Sequence, residues 1–172
     1  MLTIRPENTE DHAAIYEVNQ LAFEGEDEAR LVDALRQSDD FIPELSLVAE
    51  MGGQVVGHIL FSPIKIEGKS ATYSAVSLAP MAVRPEFQRQ GVGSELVRRG
   101  LERCRGLGHS IVIVLGHPNY YPRFGFSPAG AKGIICPFPA PDEAFMALEL
   151  VHGALNAVEG LVRYPAAFGE VA

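Results

Sequence analysis

Val83-Arg84-Pro85-Glu86-Phe87-Gln88-Arg89-Gln90-Gly91-Val92-Gly93-Ser94-Glu95-Leu96 is the stretch whose reading decides the fold. It leaves a strand running from Ser74 through Leu78, and Pro85 closes that strand because its ring fixes φ and removes a ladder donor. Beyond Gly93, apolar or small residues at Val92, Leu96, Val97, Gly100, Leu101 and Cys104 repeat with one-sided helical spacing. A glycine-containing loop that opens a helix presents free backbone N–H groups and the positive end of the helix dipole at one point. Such a point suits an anion, most often a phosphate or pyrophosphate. A strand-to-helix turn that merely needs glycine would look the same in isolation.

Charge separates the two readings. The 172-residue chain has 14 Lys plus Arg against 22 Asp plus Glu, a net charge of -8. Yet between residues 84 and 105, Arg84, Arg89, Arg98, Arg99, Arg103 and Arg105 face only Glu86, Glu95 and Glu102. A cationic island in an acidic chain, centred on an N–H cradle, concentrates a multiply charged anion there. A solvated helix face accounts for Arg98, Arg99 and Arg103 but less well for Arg89, inside the loop.

The length suits one domain, 1–172, with a sizeable core, and 47% hydrophobic residues with ordinary charge content suit a soluble protein. No apolar run reaches the ~20 residues that span a bilayer, and the N-terminus lacks a signal peptide's basic-then-apolar order. Cys104 and Cys136 lie far apart and read as small core residues in a reducing cytoplasm. The five histidines and two cysteines show no metal-ligand spacing, so no metal is expected. An acidic chain with one small basic island is poorly suited to general nucleic-acid binding, and no membrane partner is expected.

Leu2–Arg5 alternates and stops at Pro6, a short strand. Thr9 is placed to cap a helix with apolar face Ala14, Ile15, Val18 and Leu21 or Ala22; a second helix runs from about Glu26 to Gln37 on Leu31, Val32 and Leu35. Glu28 falls on that second apolar face by spacing. Leu45–Glu50 and Val55–Phe61 form a hairpin, and Ile64–Glu67 with Ala71–Ser74 form another. Pro80 demands a bulge or an unpaired position in the run toward Val83. Ile111–Leu115 reads as a strand covered on both faces and, through the helix, as the parallel neighbour of the strand before the loop. Gly116–Arg123 is a turn or one helical turn, and Phe124–Ser127 opens a strand. Gly130–Asp142 is loop, Phe145–Leu150 a final long strand, and Leu161–Tyr164 a short one.

This order resembles the GNAT superfamily of N-acetyltransferases. Gln88-x-x-Gly91-x-Gly93 is similar to that family's pyrophosphate loop and follows Met81-Ala82-Val83-Arg84-Pro85, similar to its preceding strand end; Tyr121-x-x-x-Gly125-Phe126 is similar to its later tyrosine motif. The resemblance implies an α/β (α+β) fold: a mixed, largely antiparallel sheet with one parallel βαβ crossover, a splay at the coenzyme site, and helices on both faces. It implies acetyl-coenzyme A as co-substrate, held by Met81, Ala82, Val83, Gln88, Arg89, Gln90, Gly91, Val92, Gly93 and Ser94. A small-molecule or peptide primary amine would be the acceptor, attacking the thioester directly in a ternary complex. Tyr121 would protonate the departing thiolate, with Tyr120 the alternative ring. Asn119, the asparagine near the family's Asn contact, is the candidate there, although its spacing departs from the pattern. Pro122 disfavours helical geometry at Tyr121, where the family's tyrosine ends a full helix.

No general base is marked. His58 sits mid-strand among apolar residues, His117 precedes Pro118, and Glu149 lies in the last long strand; in the family a water chain can serve. Glu24, Glu26, Asp27 and Glu28 crowd the junction of the first two helices, which in the family borders the acceptor cleft, and Glu28 is the residue expected to read a cationic acceptor. A coenzyme A-binding sensor without catalysis is the alternative reading. A third reading, a dinucleotide-binding enzyme, calls for Gly-x-Gly-x-x-Gly, and here Leu96 stands in place of the third glycine. Oligomeric state stays open, a homodimer included.

Overall fold

The computed structural model describes residues 1–170. Among the described residues nine strands and four helices follow in the order β1 (Leu2–Pro6), α1 (His12–Phe23), α2 (Asp27–Arg36), β2 (Ser46–Met51), β3 (Gln54–Glu67), β4 (Thr72–Val83), α3 (Val92–Gly106), β5 (Ile111–Leu115), β6 (Ser127–Pro128), β7 (Ile134–Ile135), β8 (Phe145–Glu149), β9 (Gly160–Arg163) and α4 (Ala167–Glu170). The described chain divides into two units. One holds Met1–Ser62, Ala79–Arg103 and the chain from Pro165; the other holds Pro63–Leu78 and Cys104–Tyr164.

In the first unit β1, β2 and β3 form an antiparallel ladder, with Ile4 opposite Ala49 and Val48 opposite His58. Ile15, Val18, Leu31, Val32 and Leu35 of α1 and α2 bury together with Val48, Val55 and Leu60. Phe61 points the other way, as strand alternation requires, and lies so close to α3 that a Cβ on Gly100 would stand 2.3 Å from its ring. Helices therefore cover both faces of this part of the sheet.

In the second unit β4 and β5 run parallel, Val76 opposite Val112 and Leu78 opposite Val114, the crossover expected from strand, loop, helix, strand. Antiparallel β8 continues from β5 and carries β6. Ile111 to Val114 are all buried while Leu115 emerges at the strand end. A second parallel pair, two residues long, joins β7 to β9.

Several local expectations are corrected. Asn8, not Thr9, caps the first helical segment: its side chain accepts from the Glu10 amide, and Asp11 returns the bond from the Asn8 amide at 2.8 Å. The chain enters α1 through a 3-10 turn over Thr9–Asp11, which leaves Thr9 inside the turn. Ala22 packs on the α1 core face, and Leu21 is exposed. β3 runs unbroken through Pro63, which lies between the end of its ladder with β2 at Leu60 and the start of its ladder with β9 at Lys65. β4 likewise runs unbroken from Thr72 to Val83, with Pro80 beyond the end of the β5 ladder at Leu78. The strand expected at Phe124–Ser127 shrinks to Ser127–Pro128, since Tyr121–Phe124 is taken by a 3-10 turn. The Gly130–Asp142 loop contains β7 and a 3-10 turn at Gly130–Lys132.

Candidate functional site

In the first unit, Ala82 and Val83 are buried and Met81 is half-buried at the end of β4. A 3-10 turn over Pro85–Phe87 leads out of the strand. Gln88 then folds back, its side-chain amide donating to the Val83 carbonyl at 2.9 Å. Arg89 and Gly91 adopt left-handed backbone, φ 64 and 86. For a residue with a Cβ that conformation costs about 1–2 kcal/mol, and such strain gathers at binding loops. The glycine at 91 meets the geometric demand directly, and among the described residues no atom beyond its own chain neighbours lies within 4 Å of where a Cβ would stand.

The amide of Glu95 donates to the Gly91 carbonyl at 3.1 Å, the bond that opens α3. The amides of Gly91, Val92 and Gly93 precede it and belong to the helix's orphan donors. Val92 is buried and packs where Gly57 leaves room: a Cβ at Gly57 would meet Leu96 at 3.0 Å and Val92 at 3.2 Å. Gln88, Arg89, Gln90 and Gly91 are exposed, and Gly93 and Ser94 half-buried. Loop and strand end thus place Met81 to Ser94 in one local structure.

The cationic island is smaller than the sequence implies. The Arg84 guanidinium is buried against Glu17, 2.5 Å away, and against the Val55 carbonyl at 2.9 Å. Arg98 pairs with Glu95 at 3.5 Å. The side chains of Arg89, Arg99 and Arg103 make no ion pair or hydrogen bond among the described residues.

In the second unit Tyr121 is buried at the start of its 3-10 turn. Its ring stands edge-on to Tyr120 at 5.0 Å and to Phe126 at 5.7 Å between centroids. Gly116 makes the seat: a Cβ there would lie 2.5 Å from the ring. The Tyr121 hydroxyl makes no hydrogen bond to a described residue, and burial raises its pKa further above the ordinary phenol value, so it stays protonated and can donate. Asn119 is exposed in the preceding turn.

Elsewhere, Glu28 is half-buried in the first turn of α2, while Glu26 is engaged by the Tyr16 hydroxyl at 2.8 Å and by Arg30 at 3.1 Å. His58 is enclosed: the Asn19 side-chain amide approaches its Nδ1 at 3.3 Å and Ser46 Oγ its Nε2 at 3.0 Å. Ser46 in turn bonds Glu7, which Arg36 grips through both oxygens at 2.8 and 3.0 Å. Burial pushes the His58 pKa down to about 4, leaving it neutral and shut off from solvent. The Glu149 carboxylate is held below its usual pKa by the amides of Leu155 and Gly153. His117 is exposed. Among the described residues no group of three His, Cys, Asp or Glu side chains could hold a metal ion, and no helix is long and apolar enough to cross a membrane.

The left-handed backbone at Arg89 and the Arg84–Glu17 pair escape a sequence reading, since neither leaves a spacing signal. The polar chain at His58 does leave one, because Asn19 stands four residues after Ile15 on the buried face of α1.

Residues 3–129 match the family described as Acetyltransferase (GNAT) domain. The chain belongs to the GNAT acetyltransferase family. It is 38% identical over 164 residues to YhbS of Escherichia coli (strain K12), named an uncharacterized N-acetyltransferase, covering 95% of this chain and 96% of that protein. It is 46% identical over 134 residues to YjhQ of the same organism, also named an uncharacterized N-acetyltransferase, covering 77% of this chain and 74% of that protein. The crystal structure of E. coli YhbS in complex with CoA superposes with a TM-score of 0.91 at 36% identity, covering 98% of this chain and 92% of that one. A GNAT family acetyltransferase from Brucella melitensis in complex with acetyl-CoA gives 0.80 at 36% identity, covering 98% of each chain. The mixed sheet with its parallel crossover is thus the GNAT fold.

Proposed function

We propose that this GNAT protein moves an acetyl group from acetyl-coenzyme A to a primary amine. The observation that carries the reading is the opening of α3. Orphan amides at Gly91–Gly93, a left-handed Gly91 bordered by open space, and beside them Arg89, whose side chain has no partner among the described residues, fit a pyrophosphate. Two relatives solved with CoA or acetyl-CoA support it. Met81, Ala82 and Val83, beyond the end of the β5 ladder, offer backbone groups to the peptide-like pantetheine arm. Asn119, exposed in its turn, is assigned a contact to the same coenzyme.

Acetyl-coenzyme A supplies the thioester. The amine nitrogen bonds to the carbonyl carbon, the carbon–sulfur bond breaks, Tyr121 gives its proton to the leaving sulfur, and solvent takes the proton the amine loses. A positioned acid of this kind contributes roughly 10²–10⁴-fold. Glu28 is assigned to a cationic acceptor, because Glu26 is already engaged by Tyr16 and Arg30. Two free cysteines suit a reducing compartment, and we assign the reaction to the cytoplasm.

Calorimetry with coenzyme A, followed by thiol release from acetyl-CoA across amines, amino acids, peptides and aminoglycosides, tests the reading. Saturable binding with amine-dependent thiol release is expected. Binding without release from any amine would leave a coenzyme sensor, and absence of binding would overturn the site.

A further inference from the structure

Resting on the coenzyme-binding reading above, we infer that Arg84 and Glu17 form a positioning tie for the coenzyme loop, fastening the exit of β4 to β3 and to helix α1. Arg84 belongs by sequence to the cationic island, yet its side chain is only 8% exposed. Its backbone amide donates to the Val56 carbonyl at 2.8 Å and its Nε to the Val55 carbonyl at 2.9 Å, so the residue grips the end of β3 twice. Its Nη1 reaches Glu17 of α1 at 2.5 Å, and its carbonyl accepts from the Phe87 amide at 2.8 Å. One residue thus joins a strand, a helix and the 3-10 turn.

Only Pro85–Phe87 separates this anchor from Gln88, which is itself bonded back to Val83. The segment from Val83 to Gln88 is therefore a closed lap, and the amides of Gly91–Gly93 leave from its far end. A lap whose base can shift moves those amides, and an anion bound by several N–H groups is sensitive to displacements of an ångström. A buried guanidinium cannot be left without partners. Glu17, with 58% of its side chain exposed, is the accessible member of the pair.

The experiment compares Arg84→Met, Arg84→Lys and Glu17→Ala with the wild type. Asp11→Asn serves as a control, because it breaks the Arg5–Asp11 pair of the same unit, which has no bond to the loop. Three quantities are read: coenzyme A affinity by calorimetry, amide hydrogen exchange at Gln90–Gly93, and the thermal midpoint. Arg84→Met is expected to raise the coenzyme A Kd about tenfold or more and to speed exchange at Gln90–Gly93, with kcat at saturating acetyl-CoA little changed. Arg84→Lys should recover part of the affinity, since an ammonium can meet Glu17 but lacks the planar fork that also reaches Val55. Glu17→Ala should raise Kd roughly threefold, and Asp11→Asn should lower the midpoint without changing Kd.

An unchanged Kd and unchanged exchange in Arg84→Met, despite a lower midpoint, would reduce the pair to a structural contact. Should Arg84→Met fail to fold, unchanged Kd and exchange in Glu17→Ala would overturn the tie in its place. A wild type that does not bind coenzyme A would instead remove the coenzyme reading, and exchange at Gln90–Gly93 would still decide the tie.

Discussion

Gly116→Ala tests whether the position of the Tyr121 ring matters. Gly116 has no left-handed backbone to strain, so its substitution acts through space alone. The added Cβ would stand 2.5 Å from Tyr121 Cε2 and 3.0 Å from Cδ2. Ordinary carbon contacts lie at roughly 3.5–4.0 Å, so the ring must withdraw by about 1 Å. It cannot turn aside freely, being held edge-on between Tyr120 at 5.0 Å and Phe126 at 5.7 Å. Overpacking of this size costs about 1–3 kcal/mol, which in a protein of this length lowers Tm by roughly 5 °C.

A 1 Å misplacement of a reacting group can cost ~10²-fold in rate. Steady-state kinetics with the best amine should therefore show kcat falling between 10- and 100-fold, an order-of-magnitude range, with coenzyme A affinity retained. Tyr121→Phe keeps the ring and removes the proton, and should lose roughly 10²-fold by itself. Combined with Gly116→Ala it should lose little more, because both changes remove one interaction. Wild-type turnover in Gly116→Ala, with the fall in Tm observed, would refute the assignment of the acid to this ring, and a larger loss in Tyr120→Phe than in Tyr121→Phe would transfer it to the neighbour.

Other outcomes follow from the same structure. Gly91→Glu places a side chain in the space that fits the pyrophosphate, on left-handed backbone and with a like charge; coenzyme A affinity should drop at least tenfold, about 1.4 kcal/mol, and equal affinity in a folded variant would overturn the cradle. Glu28→Gln should raise KM for a cationic amine and leave acetyl-CoA binding alone, whereas an unchanged acceptor KM would assign the acidic junction to helix-dipole stabilisation. His58 also sets a pH dependence. Its folded pKa of about 4 lies below the ordinary 6.5, so between those values the unfolded chain binds the extra proton and stability falls as pH is lowered. The full loss across that window is about 3 kcal/mol. The carboxylates of Glu7 and Asp11, held low by Arg36 with Ser46 and by Arg5, lose their contribution at more acidic pH. Urea melts at pH 7, 6 and 5 should show the decline in the wild type and a flatter profile in His58→Gln; parallel profiles would refute it.

What the sequence determined by itself is the part written in local pattern. Strand, glycine loop and amphipathic helix from Val83 to Cys104 are legible because periodicity, Pro85 and the two glycines each constrain the backbone within a few residues. The parallel pairing of β4 with β5 follows from the length of the crossover. Tertiary structure decided which charges remain available and which polar groups are enclosed. Arg84 and Arg89 are both arginines of one cationic window, yet one is buried against Glu17 and Val55 while the other stands exposed on left-handed backbone. His58 becomes neutral because burial desolvates its ring, in an enclosure completed by Asn19 and Ser46, which lie 39 and 12 residues away. Gly116 becomes a seat for Tyr121 only once the turn brings the ring back over it. Sequence spacing records neighbours along the chain; desolvation, ion pairing and steric fit depend on neighbours in space, and those exist only when the chain has closed on itself.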